Sequence, residues 1–318
     1  MTSRPFASAA DLADKRATLE GLAEGVFAYT AEGDPNVGCI IGTDAVLAIE
    51  ARATPLMAQR WIDVIRTKTD LPFGDLVLTH YHAVRVLGAA AFHARRIVAH
   101  ANTAAWIEER GMQDWASEQA RMPRLFAGAE TIPGLTHPSV TFADQLTMDL
   151  GNRRVELRYL GRGHTAGDIV VWLPDERICF AGDLVEARAA PYMGDAHIGD
   201  WRGATLDAVA ALGATTLVGG RGPVVHGAPA VAAAIADTRA FLSSVLDGTR
   251  VVKEDGGTPR DAYRATHAGL APRYGQFPIF EHTMPFNVQR AWDELDGIDH
   301  PRIWTVERDR AVWDALTA

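Results

Sequence analysis

The chain has 318 residues, 47% hydrophobic and 22% charged, with 8 Trp and 11 Phe; it can bury a large core, which excludes an unstructured scaffold. Its 31 Lys and Arg against 40 Asp and Glu give a formal net charge of −9, the wrong sign for a phosphate backbone, so no nucleic-acid partner is expected. The stretch up to Tyr29 has no signal-like apolar run and nothing later resembles a bilayer-spanning segment, which predicts a cytoplasmic protein with no membrane partner.

In chain order, the runs GVFAYTA, VGCII and AVLAIE, separated by turn residues at Gly33-Asp34-Pro35-Asn36 and Gly42-Thr43-Asp44, predict a strand meander. A helix is predicted to open at Thr54-Pro55, with Thr as its cap, and to end before Leu71-Pro72. Next come a buried strand DLVLT, a loop with His80 and His82, a small-residue helix through Gly88, a strand RIVAH and a helix from about Thr103 to Arg121. The second half repeats the plan. Strands VTFADQLTMDL, RRVELRYLG, DIVVWLP and RICFAGD precede a helix from about Trp201, a strand TTLVGG and a helix from about Pro229 to Asp247. Cys39 and Cys179 lie inside strand-like runs and are expected to be buried free thiols.

Two mixed halves of this kind suggest an α+β, four-layer αββα sandwich over residues 22–248. The segment KEDGGTP reads as a linker to a helical C-terminal extension, residues 249–318, packing on the core or on a second copy in a homodimer.

The chemistry-bearing residues fall at strand ends. His80 and His82 follow one buried strand, His164 lies in LGRGHTAGD after another, and Asp183 ends CFAGD. Imidazoles with a carboxylate are a ligand set for zinc or ferrous iron. The segments THYHAVR, GHTAGD, FAGD and GRG, in this order over residues 22–245, resemble the metallo-β-lactamase superfamily, whose members carry Thr-His-x-His-x-Asp-His, Gly-His-Thr-x-Gly-Asp, Phe-x-Gly-Asp and Gly-His-Gly. The resemblance implies the αββα fold and a metal site at the shared edge of its sheets, with His80, His82, His164 and Asp183 as ligands.

The departures from that pattern are Val84 and Arg85, where the family has Asp-His, and Arg221, where it has His. The resemblance therefore implies a degenerate second metal site and one metal per chain, Zn²⁺ or alternatively Fe²⁺. Two arginines would restore the charge of the lost cation, either by neutralising Asp183 or by binding substrate. His197 and Tyr192 are expected near substrate. Glu50 is expected to hold a ligand histidine, and His226 to be a loop residue supporting the ligands from outside.

These readings predict a mononuclear zinc hydrolase in which metal-bound hydroxide attacks, with Asp183 as ligand or base and Arg85 and Arg221 as donors to developing negative charge. Without a carboxylate at position 84 to serve the leaving group, an ester, a lactone or a hydrolytic dehalogenation is favoured over an amide. Trp106, Trp115, Tyr192, Trp201 and Phe286 lean toward an apolar or aromatic small molecule. Two alternatives remain: a non-haem Fe(II) dioxygenase built on His80, His164 and Asp183, resembling persulfide dioxygenases, and a non-catalytic binding protein.

Overall fold

The computed structural model describes residues 5–318. Strands β1 (Ala17–Ala23), β2 (Val26–Ala31), β3 (Val37–Ile41) and β4 (Val46–Ile49) form an antiparallel meander. Strands β5 (Phe73–Val77), β6 (Arg96–His100) and β7 (Val140–Phe142) extend it in parallel into a seven-stranded sheet. The second sheet contains β8 (Gln145–Asp149), β9 (Arg154–Tyr159), β10 (Ile169–Leu173), β11 (Ile178–Gly182), β12 (Thr216–Gly219) and β13 (Val225–His226), in spatial order β13-β12-β11-β10-β9-β8.

The continuous apolar runs of the inner strands have a simple cause: both of their faces are buried. In β10, Ile169, Val171 and Leu173 point into the core between the sheets, whereas Val170 and Trp172 point to the outer helical layer. In β4, Leu47 and Ile49 face the same inter-sheet core, and Val46 and Ala48 face Trp61 of helix α1 (Pro55–Arg66). Helix α1 starts as the sequence predicts, with the Thr54 hydroxyl accepting the Met57 N–H at 3.1 Å. Helix α3 (Ala101–Arg121) lies on the outside of the first sheet, beyond the short α2 (Ala83–Val86).

Two strand expectations change. β1 lacks a fully buried residue, as suits an edge strand, so ATLEGLA shows no apolar run to read. VTFADQLTMDL is two strands, because the chain turns at Ala143-Asp144 and passes from one sheet to the other.

On the second sheet, α4 (Ile198–Asp200) continues through a π-type turn into α5 (Leu206–Ala211) and is followed by α6 (Ala228–Glu254), α7 (Pro259–Tyr274), α8 (Phe280–Leu295) and α9 (Val306–Thr317). Helix α6 runs through position 248, and only Asp255–Gly257 separate it from Thr258, which opens α7 with a capping box. Phe280, Phe286, Trp313 and Leu316 share one core with Val170 and Cys179, so the C-terminal helices form part of the outer layer. By length and composition α6 could cross a bilayer; here Val231, Ile235, Phe241 and Leu242 are buried in that layer. Cys39 and Cys179 are buried free thiols.

Candidate metal centre

The ends of β5 and β11 and the loop between β9 and β10 meet at one edge of the sandwich. His80 and His82 follow β5, and the loop supplies His164; all three imidazoles are buried, and one nitrogen from each lies within 4.8 Å of the others. Their orientation is set by their second nitrogens. The Thr79 hydroxyl is 2.9 Å from His80 Nδ1, and the Tyr192 carbonyl is 2.8 Å from His164 Nδ1, which leaves the two Nε2 atoms turned toward each other. His82 is turned the opposite way, with Nε2 at 3.2 Å from Asp195 Oδ2 and Nδ1 at 2.9 Å from His164 Nε2. His80 Nε2 is buried without a hydrogen-bond partner among the described residues. A buried polar atom of that kind is costly unless a ligand meets it, and three imidazole nitrogens this close together suit a zinc-like cation, which would displace the proton on His82.

The surrounding charges act in opposite directions. Burial pulls the His164 imidazole down to about 3 against the attraction of Asp183. Burial also depresses His82, but Asp114, the Asp195 hydrogen bond and Glu118 outweigh it and bring it up to about 9. Asp183 stands beside the histidines, with Oδ2 at 3.5 Å from His164 Nε2 and 3.8 Å from His80 Nε2. Burial alone would raise this carboxyl; the guanidiniums of Arg85 and Arg221 reverse that and hold it well below the usual carboxylate range.

The two arginines differ in place. Arg85 Nη2 donates to Asp183 Oδ1 and to the Gly220 carbonyl at 2.9 Å, and Nη1 donates to the Asn36 carbonyl at 3.2 Å. It lies beneath the carboxylate and outside the lining of the cavity beside the histidines, the placement expected of the arginine that neutralises Asp183. Gly220 makes this packing feasible, since a Cβ there would stand 2.0 Å from Asp183 Oδ1. Arg221 does line the cavity, and its Nη1 donates to Asp183 Oδ2 at 3.0 Å and Glu186 Oε1 at 3.4 Å. Burial, reinforced by Asp183, pushes Glu186 up to about 8.

Of the remaining expected residues, Tyr192 lines the cavity. Glu50 acts at one remove: its Oε1 accepts the Thr79 N–H at 2.6 Å, fixing the residue that in turn orients His80. His197 is buried outside the cavity lining, 3.7 Å from Asp299, so a direct substrate contact is not supported by its position. His226 is exposed on β13 and bonds Glu20 at 2.6 Å; its strand pairing with Thr216 carries it away from the site, and it supports no ligand.

Sequence reading missed a polar stripe on α3. Asp114 Oδ2 accepts the Ala83 N–H and Glu118 Oε2 the Val84 N–H, both at 2.7 Å, while Arg121 reaches the cavity one turn further on. The 114-118-121 spacing on one helix face was the available signal. Glu118 thereby brings a carboxylate to position 84, where the side chain supplies none. His282 of α8 also lines the cavity and had no sequence signal.

A two-sheet αββα sandwich with a histidine cluster at the strand ends defines a class of metal-binding fold. The sequence model of the metallo-beta-lactamase superfamily matches residues 55–221, and the chain belongs to that superfamily. It is 26% identical over 177 residues to the metallo-beta-lactamase type 2 of Bacillus sp. (strain 170), a match spanning 54% of this chain and 61% of that protein. It is 24% identical over 209 residues to the metallo-beta-lactamase type 2 of Bacillus cereus, spanning 62% and 73%. Among solved structures, a metallo-beta-lactamase from Pontibacter korlensis superposes with TM-score 0.58 at 20% identity over 72% of this chain and 99% of its own. A double mutant of a sec-alkyl sulfatase superposes with TM-score 0.70 at 14% identity, over 88% of this chain and 50% of its own, a likeness of fold that extends further along this chain.

Proposed function

We propose that the protein is a mononuclear zinc-dependent hydrolase of small molecules, with His80 Nε2, His82 Nδ1 and His164 Nε2 as metal donors and Asp183 beside them. The observation that carries this reading is the unpartnered, buried His80 Nε2 aimed at two other imidazole nitrogens whose rings are held in place by Tyr192 and Asp195. Zinc in a three-histidine site supplies Lewis acidity and makes water a nucleophile near neutral pH. The protein's own groups divide the remaining work. Asp183 positions the water through Oδ2; with two guanidiniums on it, the carboxylate is a weak base, which favours bonds whose leaving groups need little help, such as esters and lactones. Arg221 is the donor placed to meet developing negative charge, while Arg85 holds Asp183 from behind. Glu118, bonded to the Val84 N–H, is positioned to move a proton at the leaving group. Tyr192, Met122 and Ile279 give the cavity an apolar side that suits a hydrocarbon or aromatic body. The two buried free thiols accord with a cytoplasmic setting.

Elemental analysis of protein purified without added metal tests this reading. We expect one zinc per chain, lost in His80→Ala and in His164→Ala with the fold retained by circular dichroism. Stoichiometric iron would instead support the two-histidine, one-carboxylate oxygenase chemistry. Protein that takes up no metal would be a non-catalytic member whose Asp183 is captured by arginines.

A further inference from the structure

We propose that the cavity beside the three histidines binds an oxyanion, a carboxylate or a tetrahedral sulfate or phosphate group, through the guanidiniums of Arg121 and Arg221. The proposal rests on the hydrolase reading only for the identity of that anion as part of the substrate; the binding itself follows from the arginines.

Arg121 is the unusual group. It is 1% exposed, yet its Nε is buried without a partner, and the Tyr192 hydroxyl is its side-chain hydrogen-bonding neighbour. Its nearest ionic neighbour is Asp309, whose Oδ2 is 3.7 Å from Nε and already accepts the Ser117 hydroxyl at 2.7 Å. The rings of Tyr192 and Phe286 each lie 5.0 Å from the guanidinium carbon. Aromatic faces offset part of the charge, but they cannot accept the hydrogen bonds of five N–H groups. The group lines the cavity, so a ligand entering there would meet its free donors.

A second arginine and two carboxylates share the cavity wall. Arg221 lines the same space, and both arginines act on His282: burial first, then the two cations, hold that imidazole well below its ordinary value. His282 is therefore neutral, fixed by Nδ1 at 2.9 Å from the Ser8 hydroxyl. The two carboxylates on the cavity wall are already engaged, Asp183 by the arginines and Glu118 by the Val84 N–H at 2.7 Å. A planar guanidinium resting against two rings is suited to paired contacts with the oxygens of an anion.

The test is calorimetric titration of zinc-loaded protein with acetate and, separately, inorganic sulfate, which distinguish a carboxylate from a tetrahedral ligand. We expect one of the two to bind and Arg121→Met to weaken it at least tenfold, about 1.4 kcal/mol, with zinc content unchanged. Asp309→Asn provides a second arm that spares the guanidinium: removing the nearest negative charge should tighten the same anion at least threefold. Failure of wild type to bind either anion, or affinity within twofold of wild type in Arg121→Met, would overturn the proposal, as would unchanged or weaker binding in Asp309→Asn if Arg121→Met does not fold. Zinc content separates the two readings, since Arg121-dependent anion binding by a protein without metal would sink the hydrolase and keep the anion site.

Discussion

The histidine side and the arginine side of this site handle buried polarity in opposite ways. At His80 and His164, neutral rings are oriented by the Thr79 hydroxyl and the Tyr192 carbonyl, and His80 Nε2 is left for a ligand. At Asp183, the charge is met within the protein by Arg85 and Arg221, and Glu50 and Glu186 stand close behind. The first arrangement leaves a donor atom open to a cation; the second meets its charge within the protein, with Arg221 alone of the two arginines also reaching the cavity. The comparison shows how a buried carboxylate beside an open donor cluster is balanced from within the protein.

The sharpest way to break this comparison is Arg85→Met. It removes one of the two guanidiniums on the buried Asp183, leaving Arg221 alone on that carboxylate, and takes a donor from the Asn36 and Gly220 carbonyls. Urea denaturation should show a loss of about 3–5 kcal/mol, whereas metal-free His80→Ala should stay within roughly 1–2 kcal/mol of metal-free wild type. Equal losses would mean that both sides are structural.

A smaller effect concerns pH. Burial and Asp183 raise Glu186 from 4.5 to about 8, so the folded protein holds this proton more tightly than the unfolded chain does. The resulting stabilisation is complete below the unfolded value and disappears as pH rises through the folded one. Stability should therefore fall between about pH 5 and 8, by up to roughly 1.4 kcal/mol per pH unit for one group. Glu186→Gln should flatten that slope in denaturation curves measured across the interval; an unchanged slope would place the titration elsewhere.

The smallest effect is expected at His226. Its partner Glu20 is on the surface, and exposed pairs contribute about 0–1 kcal/mol. His226→Ala should leave zinc content unchanged and shift stability by less than about 0.5 kcal/mol. A variant that lost zinc would reverse the assignment of this residue to the periphery.

Much of the fold was legible because inner strands buried on both faces leave unmistakable apolar runs, as in β10, and because α1 carries its own cap at Thr54. The edge strand β1 and the division between β7 and β8 were not, since neither exposed pairing nor a change of sheet alters local composition. The sequence by itself determined the superfamily pattern, the strand-end placement of His80, His82, His164 and Asp183, and the departures from that pattern at Val84, Arg85 and Arg221. Only the tertiary structure decided that Arg85 lies under Asp183 while Arg221 reaches the cavity, because the two arginines approach that carboxylate from different loops, after β5 and after β12. It also brought Glu118, Arg121 and His282 from α3 and α8 to the same cavity. Such meetings are set by how distant helices pack on the two sheets, and residues 118 and 282 have no local pattern that links them.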